Sequence, residues 1–192
     1  GDAIDAGTYN VAIGRSALSL EDAFGYNVAV GAFSLLTQNA ADNAFNTAVG
    51  YNTGGSITTG IRNTIIGGSA GDGITIGADN VALGYTALSN PNAGSKSVAI
   101  GSGALSAQVP QFTENADSSF SSTTVLTFTG GVDVHNTAVG YNAGTATTTG
   151  EQNTLVGSTA GDSLTSGSYS VAVGYAALAT EDTASSSTAV GY

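Results

Sequence analysis

The fold is decided by a 17-residue unit that reads NTAVGYNAGTATTTGEQ at residues 136–152 and returns as NVALGYTALSNPNAGSK at residues 80–96. The short run of small and aliphatic residues that ends in Gly occurs ten times in the 192 residues. Seven of the nine intervals between these glycines are 17 residues long, and the other two are 19 and 39. A fixed period in this range is typical of a solenoid. The repeat glycines are Gly14, Gly31, Gly50, Gly67, Gly84, Gly101, Gly140, Gly157, Gly174 and Gly191.

Each position of the aligned repeat has its own chemistry. The residue before the repeat glycine is always aliphatic, and the residue two places before that is Val or Thr. β-Branched residues next to glycine disfavour a helix. We therefore expect an all-β fold, a β-solenoid (β-roll) of 17-residue coils that forms one domain over residues 1–192. Each coil is expected to hold one strand before the repeat glycine and a second short strand after it. Eleven coils at about 4.8 Å each would give a rod about 50 Å long.

The position four residues before the repeat glycine is Asn or Ser in every copy. In a stack of coils these side chains lie above one another. We expect their amides to hydrogen-bond to the copies in the neighbouring coils and to the backbone at the corner, so that their role is structural. The predicted ladder consists of Asn10, Asn27, Asn46, Asn63, Asn80, Asn136 and Asn153.

The predicted strand carries different residues on its two faces. Alternation sends the aliphatic residues to one face and Ala and Gly to the other. If the small residues fill a thin interior, the aliphatic residues form a stripe on the outside. The simplest way to remove this apolar stripe from water is to pack it against the same stripe on sister chains. The alternative places the aliphatic residues inside and a flat Ala/Gly face outside. The stripe consists of Ile13, Val30, Val49, Ile66, Leu83, Ile100, Val139, Val156, Val173 and Val190.

A further column stands four residues after the repeat glycine, where the residue is Leu or Gly. The choice follows the strand: coils with Val three places before the repeat glycine take Leu, as in Val11 and Leu18, and coils with Thr take Gly, as in Thr64 and Gly71. We expect the two columns to touch or to share a packing layer.

The longest interval holds an insertion, which we place at residues 106–135. It contains three of the six Phe, one of the two Pro and the single His. The run TTVLTFTGGVDVH predicts a hairpin that turns at residues 130–131. Loops on a rigid scaffold often carry recognition, although a spacer or a lateral packing element is the alternative. The recognition candidates are Phe112, Phe120, Val125, Phe128 and His135.

Composition argues against several classes of function. Three basic residues and a net charge of −11 do not suit nucleic-acid binding. With one His and no Cys, we expect no catalytic residues, no cofactor and no metal. Glu21 and Asp22 share a column with Glu181 and Asp182, which we expect to be a solvated corner. The sequence has no apolar run long enough to cross a membrane, so we expect no membrane insertion.

The two ends of the sequence are complementary parts of one coil. Gly1 falls in register four places after a repeat glycine that would precede it, and the last copy stops at residues 191–192. We therefore expect either a fragment of a longer solenoid or a subunit that stacks head to tail.

The repeat also resembles known sequences. The units at 80–96 and 136–152 resemble the NTAxGYxALxxNTTGxx repeats of phage tail-fibre proteins and related bacterial surface proteins. SVAIGSGALS, at residues 97–106, is similar to the head repeats of trimeric autotransporter adhesins, although their coil is shorter. This resemblance implies a left-handed β-roll and a parallel homotrimer.

The expected function is that of a non-enzymatic fibre segment, part of a phage tail fibre or another extracellular appendage, that acts as a rigid rod and offers attachment to a host surface receptor or glycan. The alternative is a self-assembling bacterial filament or surface adhesin that stacks head to tail. An ice-binding solenoid is a more remote alternative. One column contains the threonines Thr58, Thr75, Thr148 and Thr165, as an ice-binding face would, but they do not form an unbroken array.

Overall fold

The computed structural model describes residues 7–21, 24–90, 94–108, 134–183 and 185–192. Ten short strands form one sheet, in which the order of the strands is their order in the chain and every pair is parallel. The described residues contain no helix. The prediction of a β-solenoid is therefore confirmed. The strands are β1 (Val11–Ile13), β2 (Val28–Val30), β3 (Thr47–Val49), β4 (Thr64–Ile66), β5 (Val81–Leu83), β6 (Val98–Ile100), β7 (Thr137–Val139), β8 (Thr154–Val156), β9 (Val171–Val173) and β10 (Thr188–Val190).

Successive coils stack with equivalent residues opposite each other. Ala12 pairs with Ala29 across β1 and β2. The same register continues across the 39-residue interval, where Ala99 pairs with Ala138. Ten rungs at about 4.8 Å give about 43 Å from the first strand to the last. The stack has about nine turns, fewer than the eleven coils expected.

The second short strand after each repeat glycine does not form, and this prediction is wrong. The chain makes turns there instead, because the residues two and four places after the glycine have positive φ. In the first coil these are Ser16 (φ 52°) and Leu18 (φ 50°). Left-handed residues cannot continue a strand. The glycines that replace Leu in four of the nine coils, such as Gly71 (φ 56°), were the sequence signal for this turn.

The interior of the solenoid is thin and is filled mainly by small side chains. The central residue of each strand from β2 to β9 is fully buried, as at Ala29, Ile65 and Ala82, whereas the residues on either side of it are partly or well exposed. The aliphatic stripe therefore faces outward. The predicted orientation of the strand is confirmed, and the alternative with the aliphatic residues inside is wrong.

The exchange of Leu for Gly in the turn is balanced three residues further on. In four of the five coils with Leu the residue there is polar, such as Gln38, and in three of the four coils with Gly it is a large apolar residue, such as Ile74. A Cβ added at Gly71 would lie 2.9 Å from Ile65 Cδ1 and 3.1 Å from Ile74 Cδ1. The same core volume is thus filled from a different position. The Val/Thr column lies on the outer face of the sheet, so the expectation that it shares a packing layer with the Leu/Gly column is wrong.

Truncating Ile74 to Ala tests this balance. Ile74 is fully buried next to Gly71, which has no side chain to fill the resulting cavity, and we expect a loss of about 3 kcal/mol in the free energy of unfolding. Leu20→Ala is the matched control, because Leu20 is half exposed. Urea unfolding followed by circular dichroism measures both, and equal losses would contradict the proposed balance.

Candidate functional site

The aliphatic stripe runs along the outer face of the sheet as one continuous row. In the middle of the rod its members remain substantially exposed, with Ile66 at 38 %, Leu83 at 43 % and Val156 at 36 %. A parallel column of Val and Thr lies beside it on the same face, three residues before each repeat glycine. Contiguous exposed apolar surface of this kind is typical of an interaction site.

The asparagine ladder lies inside one corner of the solenoid. Asn63 shows the full pattern: its Oδ1 accepts the Asn80 backbone N–H at 3.0 Å, and its Nδ2 donates to the Gly77 carbonyl at 2.9 Å. The Asn63 backbone N–H in turn donates to Asn46 Oδ1 at 2.8 Å. Six ladder members donate to the carbonyl 14 residues further on: Asn10, Asn46, Asn63, Asn80, Asn136 and Asn153. The ladder therefore ties each coil to the next and satisfies the corner backbone.

Two buried glutamines complete the ladder where its regular pattern fails. Gln108 Nε2 donates to Ser97 Oγ at 2.9 Å, and Gln108 Oε1 accepts a hydrogen bond from Asn136 Nδ2 at 3.3 Å. In the 19-residue interval Gln38 Oε1 accepts from Asn46 Nδ2 at 2.7 Å. Asn27 Nδ2 has no partner among the described residues, and the carbonyl 14 residues further on lies within the 19-residue interval. Sequence reasoning missed these glutamines, although their shared place seven residues after a repeat glycine was a signal.

A mixed column lines one edge of the outer face, five residues before each repeat glycine. Its first three members are stacked aromatic rings, with 4.9 Å between the centroids of Tyr9 and Tyr26 and again between Tyr26 and Phe45. Arg62 follows and donates to both carboxylate oxygens of Asp79, at 2.6 and 2.9 Å. These hydrogen bonds lower the pKa of Asp79. The chemistry of the column thus changes along the rod while its geometry repeats.

His135 is the one recognition candidate that the structure describes, and it is an exposed member of this mixed column. Phe112, Phe120, Val125 and Phe128, together with the predicted hairpin turn, lie outside the described residues. The residue before His135 already belongs to a coil, since the Val134 N–H donates to the Ser95 carbonyl at 3.1 Å. Residues 106–108 likewise continue the preceding coil. Residues at both ends of the predicted segment 106–135 thus take part in coils, and residues 109–133 lie outside the described residues.

The acidic column does not lie uniformly in solvent. Glu21 is fully buried, and its carboxylate accepts the Phe24 N–H at 3.1 Å and the Ala40 N–H at 3.4 Å. The prediction of a solvated corner is wrong for Glu21, because its carboxylate is buried and accepts hydrogen bonds from two backbone N–H groups. It is confirmed for the exposed Glu181 and Asp182. Asp22 lies outside the described residues. Nowhere in the described ranges do three or more His, Asp or Glu side chains gather as a metal site would require.

The threonine column of the ice-binding alternative is used within the fold. Thr58 Oγ1 donates to the Thr75 carbonyl at 3.2 Å, and Thr148 Oγ1 donates to the Thr165 carbonyl at 3.1 Å. These hydroxyls link neighbouring coils. The column therefore serves coil-to-coil hydrogen bonding.

Fold and surface together define a parallel β-solenoid with an open aliphatic face. No family model, no curated protein and no solved structure matches the chain. Within the described ranges there is no helix with the length and apolar character needed to span a bilayer.

Proposed function

We propose that this chain is a structural segment of an extracellular fibre, such as a phage tail fibre or a bacterial surface appendage, and that it acts without catalysis as a rigid rod. The observation that supports this most is the unbroken register of ten rungs. Each rung is bonded to the next through backbone and through buried side chains, as at Asn63. Coils that are hydrogen-bonded to their neighbours at several points around the solenoid resist bending of the rod. Resistance to bending is the property that a fibre requires.

The proposed partner of the aliphatic stripe is a second copy of the same stripe. A sister rod has the same spacing between rungs, about 4.8 Å, so that aliphatic rows can match over the whole length. In a single chain Leu83 and Ile66 keep a large part of their apolar surface in contact with water. Burying that surface between chains would contribute about 25 cal/mol per Å² to the free energy of association. Together with the resemblance to trimeric adhesin heads, this favours a parallel homotrimer with the stripes at its centre.

Placing charge on the stripe should dissociate the assembly. We expect the unmodified chain to sediment at three times its mass of 18.7 kDa, and the double variant Leu83→Lys/Val156→Lys to sediment as a single chain, because two ammonium groups per chain would be buried without partners. Sedimentation equilibrium measures the masses, and circular dichroism checks that the coils remain folded.

The matched control is Thr59→Lys/Ser166→Lys, which adds the same charge at exposed positions away from the stripe. It should retain the mass of the unmodified assembly. An unmodified chain that sediments singly at every concentration would overturn the trimer. Species that grow without limit as the concentration rises would favour the head-to-tail filament instead.

A further inference from the structure

A row of tyrosines runs along the rod beside the aliphatic stripe. Five coils, those of β3, β5, β7, β9 and β10, carry Tyr directly after the repeat glycine, and the coils between the first four carry Gly or Ser at this position. We call the first four tyrosines the tyrosine row. It consists of Tyr51, Tyr85, Tyr141 and Tyr175, separated by Gly68, Ser102 and Ser158.

The backbone of the tyrosine row is held rigidly. The Tyr51 carbonyl accepts the Ser69 N–H at 2.9 Å, and the Tyr85 carbonyl accepts the Gly103 N–H at 2.9 Å. Each member is therefore bonded to the following coil, and consecutive tyrosines are two coils apart. At about 4.8 Å per coil the spacing along the axis is about 9.6 Å, and the four tyrosines span about 29 Å.

The rings of the tyrosine row are well exposed, between 56 and 66 %. The small residues between them leave room for this arrangement: a Cβ added at Gly68 would lie 3.6 Å from Tyr85 Cδ2. Two members of the tyrosine row have an aromatic neighbour in the adjacent coil: Phe33 packs edge-on against Tyr51 at 5.8 Å, and Tyr192 stacks on Tyr175 at 5.4 Å. Among the described residues, Tyr85 and Tyr141 have no such contact. Aromatic rings in three successive coils pack more closely. Tyr9, Tyr26 and Phe45 stack on one another at 4.9 Å, so that their faces are covered by each other.

Few charged side chains lie beside the tyrosine row, although the Asp72 carboxylate accepts a hydrogen bond from Asn52 Nδ2 at 3.3 Å. Over the described coils from Tyr51 to Ala176, neither the tyrosine column nor the column after it contains a charged residue. Short polar side chains follow three of the four rings, at Asn52, Thr86 and Asn142. A surface with few charges, on which exposed rings repeat at every second coil beside hydrogen-bonding groups, is complementary to a neutral, hydroxyl-rich polymer.

We propose that the tyrosine row binds a neutral, extended polysaccharide with β-1,4 linkages. The apolar C–H face of a pyranose ring packs on an aromatic face, while its hydroxyls reach polar neighbours. In an extended β-1,4 chain the same sugar face returns at every second residue, and this repeat is close to the spacing of the row. A polyanionic glycan is disfavoured because the chain carries a net charge of −11.

This inference deepens the proposed function and rests on it, because it names the class of surface to which the rod would attach. The test uses the full chain with microcrystalline cellulose and with chitin in a co-sedimentation assay, and with coiled α-1,4-linked amylose as the comparison polymer. We expect binding to cellulose or chitin and little binding to amylose.

The variant Tyr85→Ser/Tyr141→Ser should bind at least about tenfold more weakly, since two stacking contacts are lost. Serine occupies the same position in neighbouring coils, at Ser102 and Ser158, so the fold should tolerate the change. The control Tyr9→Ser/Tyr26→Ser removes two exposed tyrosines outside the row and should bind like the unmodified chain.

Three outcomes would overturn the proposal: no binding to cellulose or chitin, equal losses in the two double variants, or dissociation of the assembly by Tyr85→Ser/Tyr141→Ser, which would make the row a contact between copies. Sedimentation equilibrium on the same samples distinguishes a failure of the glycan-site proposal from a failure of the trimer proposal. A trimer that binds neither polymer refutes only the glycan site, whereas a single chain that binds cellulose or chitin refutes only the trimer.

Discussion

Replacing Gly67 with Ala is expected to prevent the central coils from stacking. Gly67 has a φ of 129°, and a Cβ there would lie 2.5 Å from the Gly84 carbonyl oxygen of the next coil. Neither problem can be relieved by a side-chain movement, because the clash is with backbone. The loss should reach about 4 kcal/mol or more in the free energy of unfolding. Urea unfolding and the soluble yield of the variant measure it.

The adjacent residue provides the control for this substitution. Gly68 is not in the left-handed region, and the nearest atom to an added Cβ is Tyr85 Cδ2 at 3.6 Å. Gly68→Ala should therefore change the free energy of unfolding by less than about 0.5 kcal/mol. Two neighbouring glycines would thus differ sharply in their response to one methyl group. If Gly67→Ala were tolerated as well as Gly68→Ala, the close stacking of the repeat glycines would be wrong.

Truncating Asn63 to Ala is expected to have the next largest effect. The Asn63 side chain accepts the Asn80 N–H and donates to the Gly77 carbonyl, and both of these groups lie in a buried corner. The substitution leaves a buried donor and a buried acceptor without this partner, which costs about 3 kcal/mol. Urea unfolding of the variant measures the loss.

Asn27→Ala is the internal comparison for the ladder. Asn27 Oδ1 accepts the Asn46 N–H at 3.0 Å, but its Nδ2 has no partner in the described part of the chain. Its removal should therefore cost less than the removal of Asn63. The reverse ranking would show that the amide-to-carbonyl bonds contribute little, and that the ladder stabilises the corner by packing alone.

Much of the fold could be predicted from the sequence because the coils stack in register. When each residue meets its own equivalent above and below, the requirements of one position appear as a column with uniform chemistry. The small central residue of the strands, as at Ala29, predicted the thin interior, and Val30 next to it predicted the outward stripe. The asparagine column likewise predicted a ladder, since an amide can donate and accept along a stack.

The path of the chain between the strands could not be predicted in the same way. A second short strand was expected after the repeat glycine, yet Leu18 in that stretch lies buried in a turn with a φ of 50°. Glu21 was expected in solvent, yet it is buried against two backbone N–H groups. Both errors concern residues whose surroundings come from other parts of the coil and from the next coil.

Of the candidate surfaces, the stripe was predictable and the tyrosine row was not. Tyr85 is visible in the sequence as one aromatic residue among others. Its importance depends on the distance between coils and on the ring lying next to Gly68, and both are properties of the stack.

By itself, the sequence determined the period, the strand in each coil, the face that each strand residue takes and the residues of the ladder. These features depend on side-chain chemistry repeated along the axis. Only the tertiary structure decided the left-handed turns, the exchange between Gly71 and Ile74 in the core, and the spacing of exposed rings. These features depend on backbone dihedral angles and on the shape of a shared interior. Side chains from several positions of the repeat fill the same volume there, so the residues at one position alone do not show which side chain fills it.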